Sequence, residues 1–209
     1  GRRAGPRRDG LRGAGSAGAG GDPDRNWIFD AQSIAKFSTV TVQQVNDAPV
    51  ILNVANDTLT YYKNEGMKAL DQGTNADLAD ADSDDFKGGR LTVEIVAGAH
   101  EAEDVLGFTT AVADQDIQVL GNQVYYESEL IGTYNLSPDN DKLTVNFTTN
   151  RADDDALDGL LQSIAYENTN SEAPIPGERV VRFQMYDGDG DGGTSAATDM
   201  IVNVEGNRP

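Results

Sequence analysis

Cysteine is absent from the 209-residue chain, and histidine occurs once, as His100. The first absence removes any disulfide framework, thiolate metal ligand or cysteine nucleophile. The second removes a multi-histidine zinc site and leaves one residue to serve as the base of a serine hydrolase. No G-x-S-x-G elbow accompanies it, and its neighbours Ala99 and Glu101 suggest a surface loop. No Walker A motif occurs. No apolar run approaches the roughly 20 residues that span a bilayer, so direct membrane insertion is not expected.

Positive charge is scarce as well. Against 35 Asp and Glu stand 16 Lys and Arg, a net charge of -19. Phosphates would be repelled, which argues against nucleic acid or an anionic membrane as the main partner. Such a balance fits plain solubility, or metal cations as the missing counter-charge. Nothing singles out a carboxylate pair for glycoside hydrolysis among so many acids, and the chain is not expected to be an enzyme. A large extracellular module without disulfides must be stabilised by its core, by metals or by both. The first residue is Gly rather than Met and no signal peptide is visible. The expectation is a fragment whose export signal lies elsewhere.

Residues 1–26 scatter arginines among Gly and Ala with almost no apolar side chains. Such a stretch cannot offset its ordering entropy by burial, and a disordered tail is expected. Residues 27–46 read as the last strands of a preceding unit, with Trp27-Ile28-Phe29 pairing with Lys36–Val45. The main unit is expected over 47–204, followed by a short linker at 205–209. Its opening punctuation, Gln44-Val45-Asn46-Asp47-Ala48-Pro49, is nearly repeated at Val202-Asn203-Val204-Glu205-Gly206-Asn207-Arg208-Pro209. Two similar exits about 160 residues apart suggest a unit of a tandem array.

Between them run β-branched or aromatic segments separated by Gly, Asn and Asp turns. They are Val50–Val54, Thr58–Tyr62, Arg90–Val96, Ile117–Leu120, Gln123–Tyr126, Ile131–Leu136, Lys142–Thr148, Arg179–Tyr186 and Ala197–Val204. One helical signal interrupts them. Asp153, Asp154 and Asp155 suit a helix N-terminus, and Leu157, Leu160, Leu161 and Ile164 then recur at helical spacing. The fold class this implies is all-β: an Ig-like antiparallel β-sandwich with one short crossover helix.

The most distinctive run is Asp187-Gly188-Asp189-Gly190-Asp191-Gly192-Gly193. Carboxylates at alternate positions, with glycines between, let a loop curl and turn several oxygens inward, as hard Ca²⁺ prefers. A complete EF-hand is not expected, because position twelve is Thr198 and no helices flank the loop. Asp-Gly pairs also favour tight turns, so a solvated hairpin is the competing reading. A second cluster is Asp80-Ala81-Asp82-Ser83-Asp84-Asp85. In an Ig-like sandwich the loop after the second strand and the loop between the last two lie at one pole. The same pole receives the linker Asn46-Asp47-Ala48-Pro49. Three oxygen-rich segments are expected to converge there, and they would repel one another without a cation.

At these residues the sequence resembles the cadherin-like tandem repeats of very large bacterial surface and secreted proteins, including RTX-type adhesins. The matching pieces are Val45–Pro49, Asp80–Ser83, Gly89–Val93, Ile164–Thr169, Gly177–Phe183 and Tyr186–Gly190. The resemblance implies an extracellular β-sandwich repeat that binds calcium at inter-repeat junctions and acts in adhesion. Its partners would be neighbouring repeats and a cell-surface protein or polysaccharide. Asn46 and Asp47 would be linker ligands, Asp80 and Asp82 a D-x-D pair, and Asp187 the late acidic ligand. Glu65 would face the next junction. The closing linker departs from the pattern, with Gly206 and Arg208 where Asp and Ala are expected. The alternative is a carbohydrate- or protein-binding β-sandwich appended to a secreted enzyme. That reading calls for an exposed aromatic platform, for which Tyr61-Tyr62 and Tyr125-Tyr126 are the available pairs.

Overall fold

Alternation builds the framework. In Arg90–Ala97 the side chains of Leu91, Val93 and Ile95 are buried, while Arg90, Thr92 and Glu94 face outward. Leu143, Val145 and Phe147 repeat the pattern in Lys142–Phe147, as do Val181, Phe183 and Met185 in Gly177–Tyr186. A period of two places one face of each strand on a core and the other in water.

The computed structural model describes residues 38–41, 45–109 and 116–208. The chain divides into two units, Gly1–Val42 and Gln43–Pro209. The expected tail at 1–26 and the segment Trp27–Phe29 lie outside the described residues. So does half of Lys36–Val45, and its described positions 38–41 and 45 belong to no strand.

In the second unit the strands are β1 (Val50–Leu52), β2 (Thr58–Tyr62), β3 (Lys68–Ala69), β4 (Asp77–Ala79), β5 (Arg90–Ala97) and β6 (Asp104–Phe108). There follow β7 (Ile117–Leu120), β8 (Gln123–Tyr126), β9 (Glu129–Leu136) and β10 (Lys142–Phe147). Helix α1 (Asp154–Ser163) leads directly into β11 (Ile164–Asn168), and β12 (Gly177–Tyr186) and β13 (Thr198–Glu205) close the fold. One sheet has eight strands in the order β2-β13-β12-β5-β10-β9-β8-β7. A pair, β1-β4, and a triplet, β3-β11-β6, pack with α1 on its apolar face. Tyr61 of β2 meets Tyr166 of β11 edge to face at 5.2 Å, and Phe108 of β6 meets Tyr134 of β9 at 4.9 Å. The architecture is an all-β sandwich with one helix.

Among the described residues every ladder is antiparallel except β2 with β13, where Thr58–Tyr62 runs beside Ile201–Glu205 in parallel. These strands are far apart in sequence, which leaves ample chain for the crossover that parallel pairing requires. Sequence patterning misses β3, β4, β6 and β11. The first two are only two and three residues long, and β6 carries Asp104 and Gly107, both poor strand formers. Ile164 reads as the last apolar residue of the helix, yet its backbone is extended (φ -62°, ψ 135°) and begins β11. Between β7 and β8 the loop Gly121-Asn122 is a two-residue hairpin with Gly121 at φ +63°, a conformation that suits glycine.

Candidate functional site

β12 ends at Tyr186, whose backbone bridges to Thr194, so the Asp-Gly run is pinched at its base. The Asp187 N–H donates to the Gly193 carbonyl at 3.0 Å. A Cβ on Gly193 would stand 2.0 Å from Asp187 Oδ1, and one on Gly188 (φ +104°) would stand 2.6 Å from the Gly89 nitrogen. Glycine is therefore required at both positions: the loop folds over its own first carboxylate and packs against residues 88–89. Asp187 is fully buried as a result.

The three oxygen-rich segments meet at this loop. Asn46 donates its amide to Asp187 Oδ2 at 3.0 Å, and the Asp189 N–H donates to Asp187 Oδ1 at 2.8 Å. The Asp47 N–H donates to Asp82 Oδ1 at 3.2 Å. Asp80 Oδ1 accepts from the backbone N–H groups of Asp82 and Ser83 at 3.1 and 3.3 Å, and the Ser83 hydroxyl donates to Asp189 Oδ2 at 3.1 Å. Asn46, Asp47, Asp80, Asp82, Asp187 and Asp189 thus form one network. Asp191 lies exposed in the same loop, with no side-chain bond into it.

One atom of the network is left over. Asp80 Oδ2 is buried and has no hydrogen-bond partner. Burial pushes the Asp80 carboxyl above the usual carboxylate range, against two backbone N–H groups that lower it, and nearby Asp187 adds to the rise. Among the described residues no Lys or Arg is ion-paired with any acid of this pole. Nor are three or more carboxylate or imidazole groups there already gathered as an ion would hold them. Amides and N–H groups hold the carboxylates in place instead.

Sequence reading treats the triple Asp before α1 as a helix cap. Asp153 is indeed the N-cap, accepting the Ala156 N–H at 3.1 Å, with Asp154 and Asp155 in the first turn. The fold adds a second consequence. Asp153, Asp154 and Asp155 line an open cleft of about 420 Å³ with Asp80, Asp82 and Asp84. Asp154 is raised by burial and then by the charge of Asp80. No sequence signal shows that proximity, because it depends on where β4 delivers the loop.

Glu65 stands at the opposite pole, past the far end of β2. It accepts from the Tyr62 N–H at 3.0 Å and from Lys68 Nζ at 3.3 Å, and it pairs with Arg208. Arg208 also lies over the Tyr62 ring, 5.5 Å from its centroid. A buried network that sequence reading missed lies at the same end. Asp104 accepts from Arg179 Nε at 3.0 Å, from the Tyr166 hydroxyl at 2.5 Å, from Asn168 at 3.0 Å and from the His100 N–H at 2.8 Å. His100 is half-buried in the turn before β6.

No family model and no curated protein matches the chain. Among solved structures, the chain is similar to AggA, the major subunit of aggregative adherence fimbriae type I from Escherichia coli. The two are 12% identical with a TM-score of 0.31, over 78% of this chain and 100% of that one. A likeness of that size carries no argument. Among the described residues no helix is long and apolar enough to cross a membrane.

Proposed function

We propose that this chain is a non-catalytic, calcium-stabilised structural repeat of an extracellular adhesin-like protein, acting in cell-surface adhesion as part of a stiff stalk. The observation that supports it is the buried, unpartnered Oδ2 of Asp80 in a network of seven linker and loop residues that includes no basic side chain. The donor set suits Ca²⁺: its carboxylates, the Asn46 amide and the Ser83 hydroxyl all offer hard oxygens. Asp80, Asp82, Asp187 and Asp189 would hold the ion with Asn46 and Asp47, while Asp191 would need the loop to turn inward. The ion would supply positive charge and tie the incoming linker to two loops of the sandwich. Fixing the linker fixes the angle to whatever domain precedes it, and that would stiffen a stalk.

The appended-module reading loses its platform. Tyr61 is fully buried against Tyr166, Tyr62 lies under Arg208, and Tyr126 packs against the core. Tyr125 is half-buried, with its hydroxyl bonded to Gln123. Calorimetric titration of the chain with calcium tests the main reading. Extracellular modules bind on the order of 10⁻⁴–10⁻³ M, and heat of binding in that range is expected. A flat titration up to about 10 mM, ten times the weakest of those constants, would overturn the proposal.

A further inference from the structure

The outward face of β10-β5-β12 runs against the charge of the rest of the chain. It bears a half-enclosed groove of about 290 Å³ whose lining includes three cations, Arg90, Lys142 and Arg182, and one carboxylate, Glu94. Over the whole chain acids outnumber bases, 35 to 16. Strand register arranges the lining in rows. Thr144, Thr92 and Gln184 face one another across three neighbouring strands, and Lys142, Glu94 and Arg182 form the row beside them. The Arg90 guanidinium lies over the Tyr186 ring, 5.1 Å from its centre, which favours its position at the groove. Arg90 has no carboxylate partner among the described residues.

The other two cations are paired. Lys142 to Glu94 (2.9 Å) and Arg182 to Asp199 (2.7 Å) are ion pairs whose side chains are all 38–44% exposed. The single-contact Lys142 pair is weak and can be exchanged for a ligand's carboxylate, whereas Asp199 holds Arg182 through two bonds of 2.7 Å and keeps it. A fork-shaped cation fixed in place, with hydroxyl and amide groups at strand spacing, matches a chain of sugar rings carrying carboxylates. An acidic peptide offers the threonine and glutamine row only one backbone donor and one acceptor per residue, whereas each sugar ring offers several hydroxyls. Nucleic acid carries far denser charge, which the acidic remainder of the protein repels. A uronate glycan is less densely charged, and that repulsion is screened beyond about 8 Å at physiological salt.

We propose that this groove binds uronate-bearing polysaccharide, with Arg90 taking a sugar carboxylate and Thr92, Thr144 and Gln184 the ring hydroxyls. It would give the adhesion reading a ligand, yet its site is separate from the acidic pole. The test is calorimetry of the whole chain at about 0.15 M ionic strength with four probes: hyaluronan and oligogalacturonate hexamers, cellohexaose and poly-glutamate. At least one uronate hexamer should bind, and cellohexaose and poly-glutamate should not. Arg90→Ala should weaken that binding about tenfold or more, as loss of a charge-assisted hydrogen bond does, at unchanged melting temperature. Arg151→Ala, an exposed arginine away from the groove, should bind as the parent does. The proposal is overturned if neither uronate hexamer binds, if Arg90→Ala binds them normally, or if poly-glutamate or cellohexaose binds as tightly. A normal calcium response in the same samples would confine that failure to the groove.

Discussion

Two carboxylates near opposite ends of β12 meet the same problem with different means. Asp104 is buried beside Arg179, close to where β12 begins, and both of its oxygens are filled by a guanidinium, a phenol, an amide and a backbone N–H. Asp80 sits with Asp187, just past the strand's other end, with one oxygen bonded to backbone N–H groups and the other to nothing. The first site carries its cation within the chain. The second gathers acids from three segments and includes no basic side chain. Burying a charge without a partner costs several kcal/mol, so the first pole is complete as it stands and the second is where the proposed cation would act.

The largest effect should come from breaking the complete pole. Arg179→Met would leave the Asp104 carboxylate buried without its cation, a change that typically costs about 3–5 kcal/mol. Urea unfolding of parent and variant should show that loss equally in calcium and in chelator. Rescue by calcium would mean that the two ends are not separate.

Next in size is the pole proposed to hold calcium. If calcium binds the native chain only, free calcium at a hundred times the dissociation constant stabilises by about 2.7 kcal/mol. For a unit of this length that is a rise of about 5–10 °C in melting temperature. Asp82→Ala should abolish most of the rise while costing little in chelator, where it removes one of several repelling charges. A calcium-driven rise that survives Asp82→Ala would place the ion elsewhere.

The two poles differ also in how much of each was legible beforehand. Convergence of Asn46–Asp47, Asp80–Asp82 and Asp187–Asp189 follows from sandwich topology, since linker and loop order are visible as runs of Asp, Gly and Pro. The Asp104–Arg179 pair was not seen, although alternation held the clue: Arg179 shares parity with Val181, Phe183 and Met185 and must therefore face inward. An inward arginine demands an acid, but no local pattern says which. Strand boundaries were readable where β-branched residues alternate, as in β2, β7 and β8. They were hidden in β4 and β6, where Asp and Gly reflect contacts with other elements rather than strand propensity.

A smaller effect lies between the poles. Burial and the neighbouring Asp77 push Asp158 up to about 6, although the Leu78 N–H, donating to it at 2.7 Å, pulls the other way. The folded protein therefore takes up this proton as pH falls through about 6, while the unfolded chain does so only near the ordinary aspartate value of 3.8. Stability from this group is fully present below the unfolded value and is lost as pH rises through about 6. Asp158→Asn keeps the acceptor for Leu78 and supplies a donor toward Asp77. In chelator at neutral pH it should raise the melting temperature by about 2–4 °C and flatten the melting profile between the two values. An unchanged profile would show that the pair is solvated rather than coupled.

The smallest expected effect falls on Glu65. The resemblance to cadherin-like repeats makes it a ligand for the next junction, yet in this fold it is engaged by the Tyr62 N–H, Arg208 and Lys68. Burial raises its carboxyl, and those three partners outweigh burial to hold it below the ordinary glutamate value. Its contribution is accordingly present above the unfolded value and lost as pH falls through the lower folded one. Arg208 is 70% exposed, so the pair with it is worth at most about 1 kcal/mol. Glu65→Gln keeps the bond to the Tyr62 N–H and removes only the charge. If Arg208 and Lys68 have taken the place of an ion, the variant should lose up to that amount equally in calcium and in chelator, and less in high salt. A cost that appears only in calcium would make Glu65 a metal ligand and give both poles the same need for an outside cation.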